Sequence, residues 1–256
     1  MKNWMRHWRE VNDMGVLLKA QGVTKKFAGL IAVNEVNMTI QKGEIVGLIG
    51  PNGAGKTTFF NSITGFYRSD GGKVEFDGTD ITNLTTYQNC KLGMARTFQI
   101  VQPFGKLTSL ENVMVGAYNH ETKPQKAKEL AEEMLVYVGM QDKKDAIVAD
   151  LTIGDQRKLE MARALATRPK LLLLDEVMAG LTPTEIETVI ELVAKIRKNG
   201  ITVLMIEHIM AALMKLSDRV VVLDHGTKIA EGTPREISTN ERVIESYLGS
   251  AYKKKE

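Results

Sequence analysis

The chain has 256 residues, 43% of them hydrophobic and 25% charged, with a net charge of +3 at pH 7. That length can bury a sizeable core as one large domain or two lobes, and the near-balanced charge excludes the basic footprint of a nucleic-acid binder. The single cysteine, Cys90, excludes an internal disulfide, and no apolar run approaches the ~20 residues that a membrane-spanning helix needs.

Within residues 1–15, read as an N-terminal extension, Trp4, Trp8 and Val11 fall on one side of a helix and Lys2, Arg6 and Arg9 on another. This is the pattern of a basic amphipathic helix that touches a membrane surface or a partner. No apolar h-region stands near the start, so no secretory signal is predicted. Val16 to Lys19 and Ala32 to Ile40 alternate as strands do, with Phe27 between them. Ile45 to Ile49 is a short apolar run, followed by Gly50-Pro51-Asn52-Gly53-Ala54-Gly55-Lys56-Thr57-Thr58 and then a helical stretch to Thr64 that Gly65 stops. Strand, glycine loop, helix is the context that the spacing G-x-x-x-x-G-K-[ST] requires. The glycines let the main chain wrap with its N–H groups inward as a nest for phosphate oxygens, and the helix adds its positive end. Lys56 is placed to reach β- and γ-phosphates, and Thr57 to bind Mg²⁺.

Val74 to Phe76 continues the strand-rich region between turns at Gly71-Gly72 and Asp77-Gly78. Residues 109–139 read as helical, with an apolar stripe of Leu130, Met134, Leu135 and Val138 and a stop at Gly139. A further helix is predicted from near Gly154 to a stop before Pro169. Leu171 to Leu174 is apolar on both faces, as a central parallel strand is, and ends in Asp175-Glu176. In an open parallel sheet, ligands bind at the carboxyl ends of strands. The two acids and the glycine loop are therefore predicted to share one crevice, Asp175 holding Mg²⁺ and Glu176 orienting or deprotonating a water. Thr182-Pro183-Thr184-Glu185 starts a helix that runs to Lys198. Ile201 to Ile206 is a buried strand ending in Glu207-His208, and strands at Val220 to Leu223 and Thr227 to Ala230 flank an Asp224-His225-Gly226 turn. Strands alternating with helices predict an α/β fold with a mostly parallel sheet.

With these residues in hand, the chain from about 16 to 249 resembles the nucleotide-binding subunits of ATP-binding cassette (ABC) transporters. The resemblance rests on six ordered motifs: the P-loop from Gly50 to Thr57, the lone Gln99, the signature-like Leu151-Thr152-Ile153-Gly154-Asp155-Gln156, the strand from Leu171 to Glu176, Ala179-Gly180-Leu181-Thr182 and His208. It implies a P-loop NTPase (RecA-like) fold with an N-terminal antiparallel β region. It also implies a nucleotide-binding core (16–99 and 166–249), an inserted helical subdomain at about 100–165, and a charged tail at 250–256.

What the resemblance implies for function is an ATPase in which two cassettes, identical or different, sandwich ATP with Mg²⁺. Each nucleotide lies between one P-loop and the other cassette's signature, where Thr152 and Gly154 stand. Phe27 stacks on adenine, Gln99 contacts Mg²⁺ or the attacking water, and His208 bonds the γ-phosphate. Partners would be transmembrane permease subunits and, indirectly, a solute-binding protein, at the cytoplasmic face of the membrane; no nucleic acid is implied. Four stretches, among them Gly154 to Glu160 and Tyr247-Leu248-Gly249, are similar to the branched-chain amino-acid importer ATPases. Urea import, lipopolysaccharide-type export and a soluble non-transport ABC ATPase are the alternatives. The sequence departs from the family pattern at Thr152, Ile153 and Asp155, at Val177 in place of proline, and at Thr182 in place of aspartate; Asp155 would bring negative charge near a phosphate.

Overall fold

The structure, a computed structural model, describes residues 15–99 and 103–248. The amphipathic pattern at residues 1–10 and the tail at 250–256 lie outside the described residues. Two sheets form. The first pairs β1 (Val16–Phe27), β2 (Leu30–Gln41), β4 (Gly71–Phe76) and β5 (Thr79–Asp80) antiparallel, in the order β2-β1-β4-β5. The second has six strands in the order β10-β9-β3-β8-β7-β6. These are β3 (Ile45–Ile49), β6 (Met94–Arg96), β7 (Leu171–Asp175), β8 (Thr202–Ile206), β9 (Arg219–Asp224) and β10 (Thr227–Gly232). All its neighbours run parallel except the hairpin of β9 with β10.

The central strands alternate between two cores. Leu171 and Leu173 of β7, with Leu204 and Ile206 of β8, join the core built by Phe59 and Phe60 of α1 (Lys56–Ile63) and the inner face of the first sheet. Leu172, Leu174, Val203 and Met205 join the other core, with Val189 and Val193 of α6 (Pro183–Lys198) and residues of the helical segment. Being apolar on both faces, these strands can only be internal.

Among the described residues between Arg96 and Leu171 the only strand-like pairing is one bridge from Thr108 to Ile147. The segment is built from α3 (Ser109–Ala117), α4 (Pro124–Tyr137) and α5 (Ile153–Ala166), with α2 (Thr86–Leu92) just before it. The helix expected over 109–139 is thus two helices. Pro124 sits at the start of α4, where its missing N–H costs nothing; inside one long helix it would break it. After β8, α7 (Met210–Leu216) leads into β9, and the chain closes with α8 (Pro234–Ser238) and α9 (Glu241–Leu248). Among the described residues no helix is long and apolar enough to cross a membrane.

Candidate active site

Four parallel neighbours, β3, β8, β7 and β6, deliver their following residues to one edge of the sheet. Those residues are the glycine loop, Glu207-His208, Glu176 and Thr97-Phe98-Gln99. Together with the β9–β10 turn and the tip of the β1–β2 hairpin they bound a cleft of about 740 Å³. The loop from Asn52 to Thr58, Phe27, Gln99, Glu176, His208 and His225 all line it.

The loop's shape depends on glycine at two places. A Cβ on Gly50 (φ +152) would lie 2.0 Å from the Leu223 carbonyl oxygen, and one on Gly55 (φ +94) 2.3 Å from that of Ala32. Gly53 faces open space. Lys56 is buried and folds back on its own loop, its Nζ donating to the carbonyls of Gly50 (2.7 Å) and Pro51 (2.9 Å). Burial lowers its pKa, while the charges of Glu176 and Asp175 act to raise it. Thr57 and Asn52 are exposed at the loop, and Thr58 and Pro51 are half-buried.

Glu176 is held on both oxygens. His208 Nε2 donates to Oε1 at 2.7 Å and Gln99 Nε2 to Oε2 at 3.0 Å. Its backbone sits at φ +52, unusual for a side chain with a Cβ, and its amide donates to Ile206 O at 2.9 Å. Asp175 lies beneath it, fully buried and outside the cleft wall. Its Oδ2 accepts from Arg96 at 3.2 Å, and its Oδ1 has no hydrogen-bond partner. Burial pushes its carboxyl up, against the pull of Arg96. Phe27 stays half-exposed at the mouth of the cleft, edge-on to Tyr67 at 5.3 Å. Thr152 and Gly154 do not line the cleft.

The departures in the signature segment acquire a local explanation. Thr152 caps α5: its hydroxyl accepts from the Asp155 amide (3.2 Å) and donates to Asp155 Oδ2 (2.8 Å), and Lys143 pairs with the same carboxylate. Burial opposes ionisation of Asp155, but the Lys143 and Thr152 hydrogen bonds outweigh it and hold its carboxyl below the usual range. The negative charge is thus already neutralised within the chain. Thr182 likewise caps α6 in a reciprocal box with Glu185. Glu185 packs so close to the start of α5 that a Cβ on Gly154 would meet its Oε1 at 2.3 Å. Val177 is fully buried in the core.

Two groups of site residues escaped the sequence reading. Arg157, buried on α5, donates to the carbonyls of Phe98 (3.0 Å) and Gln99 (2.8 Å), while Glu160 accepts from the Phe98 amide (3.0 Å). The helix that begins at the signature thereby grips the backbone that carries Gln99. Arg96 joins Asp175 to Asn61 of α1, 2.6 Å from Arg96 Nη1, and stacks on Phe98. The signal for the first group was a charged pair three residues apart on an otherwise apolar helix face; charges rarely enter a core without such partners.

The profile described as ABC transporter matches residues 33–179, and that described as branched-chain amino acid ATP-binding cassette transporter matches residues 227–253. The chain belongs to the ABC transporter family. The cassette is 40% identical, over 251 aligned positions covering 92% of it and 98% of the relative, to the high-affinity branched-chain amino acid transport ATP-binding protein BraF of Pseudomonas aeruginosa. Its fold matches an ATP-binding cassette of an ABC transporter solved in its ADP conformation, with a TM-score of 0.83 and 31% identity over 92% of this chain and 100% of that one. It also matches a dimeric cassette in a post-hydrolysis state bound to ADP and Pi, with a TM-score of 0.78 and 26% identity over 86% of this chain and 99% of that one. The cassette is an ATP-hydrolysing transporter subunit.

Proposed function

We propose that the cassette drives import of branched-chain amino acids through transmembrane permease subunits at the cytoplasmic face of the membrane. In this reading a solute-binding protein delivers the cargo. The match of residues 227–253 to the branched-chain profile carries the cargo assignment, since no residue of the ATP site touches a cargo.

Within the cleft, the loop amides and Lys56 bind the β- and γ-phosphates, and Phe27 meets the adenine. The residues present fit a magnesium ion. Asp175 Oδ1 is buried without a partner, Thr57 offers a hydroxyl at the loop, and Gln99 offers an amide oxygen. Among the described residues no cluster of three His, Cys, Asp or Glu could hold a metal alone, which suits a cation that shares phosphate and water ligands. Bound there, Mg²⁺ supplies charge neutralisation on the phosphate oxygens. Glu176 takes the proton of the attacking water as the water oxygen bonds to the γ-phosphorus and the bond to the β-bridging oxygen breaks. His208 and Gln99 hold that carboxylate in position before nucleotide arrives, and His208 turns to the γ-phosphate once it is present.

A second cassette supplies Thr152 and Gly154 at the start of α5 to close the site. Their absence from the cleft of a single chain, and the dimeric relative, support this. In this reading the chain divides into a core (16–99 and 166–249) and a helical subdomain (about 100–165) that carries the signature; the hydrogen bonds of Arg157 to the Phe98 and Gln99 carbonyls support a link between the signature helix and Gln99. The test is purification of the cassette with its permease from membranes and reconstitution into vesicles. ATP-dependent uptake of leucine, isoleucine or valine, absent with Glu176→Gln, is expected. A permease complex that hydrolyses ATP without moving any of the three would refute the cargo.

A further inference from the structure

We propose that the C-terminal helix α9 clamps the phosphate loop through Tyr247, and that Tyr247 is a positioning residue that sets nucleotide affinity. The proposal rests on the nucleotide reading of the cleft. Gly50 opens the loop, and its two peptide groups are held from opposite sides. Its carbonyl accepts from Lys56 Nζ at 2.7 Å, and its N–H donates to the Tyr247 hydroxyl at 2.8 Å, from 197 residues away along the chain.

The helix is seated to make this contact. Val243 and Tyr247 stand four residues apart and so share a face of α9. Val243 is buried in a small apolar cluster with Ile49, Val220, Val222 and Ile237. One face of the helix therefore carries both the residue that joins this cluster and the one that bonds Gly50. The Asn240 side chain accepts from the Val243 amide at 3.3 Å and fixes the start of the helix. Beside this contact a space of about 450 Å³ is lined by Pro51 to Ala54, the start of the β9–β10 turn, Glu245 and Ser246.

To reach a phosphate, Lys56 must leave the carbonyls of Gly50 and Pro51. The Tyr247 bond then remains to keep Gly50 in place while the lysine swings. Without it the amide must find another acceptor, and the loop loses part of its preorganisation.

The test compares the wild-type chain with Tyr247→Phe, which keeps the ring and deletes the acceptor. ADP titration is expected to show a Kd raised ~5–10-fold, the size of one lost hydrogen bond. KM for ATP should follow, with kcat at saturation within ~2-fold. A merely structural role would lower thermal stability and leave the Kd of the folded protein unchanged, and that result overturns the clamp. Coupling is reciprocal, so ADP should slow hydrogen exchange of residues 241–248 in the wild type. Should the variant not fold, this exchange decides: protection supports the clamp, and indifference to ADP overturns it. Failure of the wild-type chain to bind ADP would overturn both the clamp and the nucleotide reading, whereas an unchanged Kd in Tyr247→Phe removes the clamp alone.

Discussion

His208 holds the carboxylate of Glu176 at 2.7 Å, on the oxygen opposite to the one that Gln99 engages. Three strands end at these residues or just before them. The carboxylate is fixed by two side chains and by a strained backbone before substrate enters, so the base stands in place when the nucleotide arrives.

Glu176→Gln keeps the size and one of the two accepting oxygens but removes the base. Nucleotide binding should persist while turnover falls by about 100-fold or more, the usual worth of a positioned general base. With ATP and Mg²⁺ the variant should accumulate as a dimer, visible by size-exclusion chromatography. Phosphate release at the wild-type rate would contradict the role of Glu176.

The cap at the start of α5 is a separable test. Asp155→Ala removes the partner of Lys143 and the acceptor for the Thr152 hydroxyl. Thr152 still accepts from the amide of residue 155, so stability should fall by only about 0.3–1 kcal/mol, the worth of a negative charge in the first turn of a helix. ADP affinity of the isolated chain should not change, because Thr152 does not line its own cleft. Urea denaturation and nucleotide titration measure the two effects.

Burial pushes the Glu207 carboxyl up to about 7; the Met178 amide opposes the shift, and the charge of Glu176 adds to it. A group with a raised folded pKa contributes stability that is fully present below its unfolded value, 4.5, and is lost as pH rises to about 7. The loss is roughly 3 kcal/mol at most. Glu207→Gln keeps an acceptor for the Met178 N–H, now 2.9 Å from Oε1, without a charge to bury. Its stability relative to wild type should improve between about pH 4.5 and 7 and level off above. A difference that does not vary with pH across that window would refute the shift.

β7 and β8 were legible in the sequence because a strand apolar on both faces has one place to go. The loop from Gly50 to Thr58 was legible because its spacing needs both the strand before and the helix after. The starts of α2, α3 and α8 were present as threonine followed three residues later by Gln or Glu: Thr85 and Gln88, Thr108 and Glu111, Thr233 and Glu236. The start of α3 falls where a helix is predicted from 109; those of α2 and α8 went unread because their helices are only seven and five residues long and show weak periodicity. The grip of Arg157 on the Gln99 segment and of Tyr247 on Gly50 could not be read at all. Both join residues far apart in sequence, and nothing local in either partner requires the other.

The central claim, that the Gly50 loop and Lys56 cradle a triphosphate, is most directly tested by calorimetric titration of ATP with Mg²⁺ into the wild-type chain and Lys56→Ala. Saturable binding to the wild type, weakened at least ~100-fold by loss of the charge-assisted contacts of the ammonium, is the predicted result. Equal affinity in the two proteins, or none in the wild type, would contradict it.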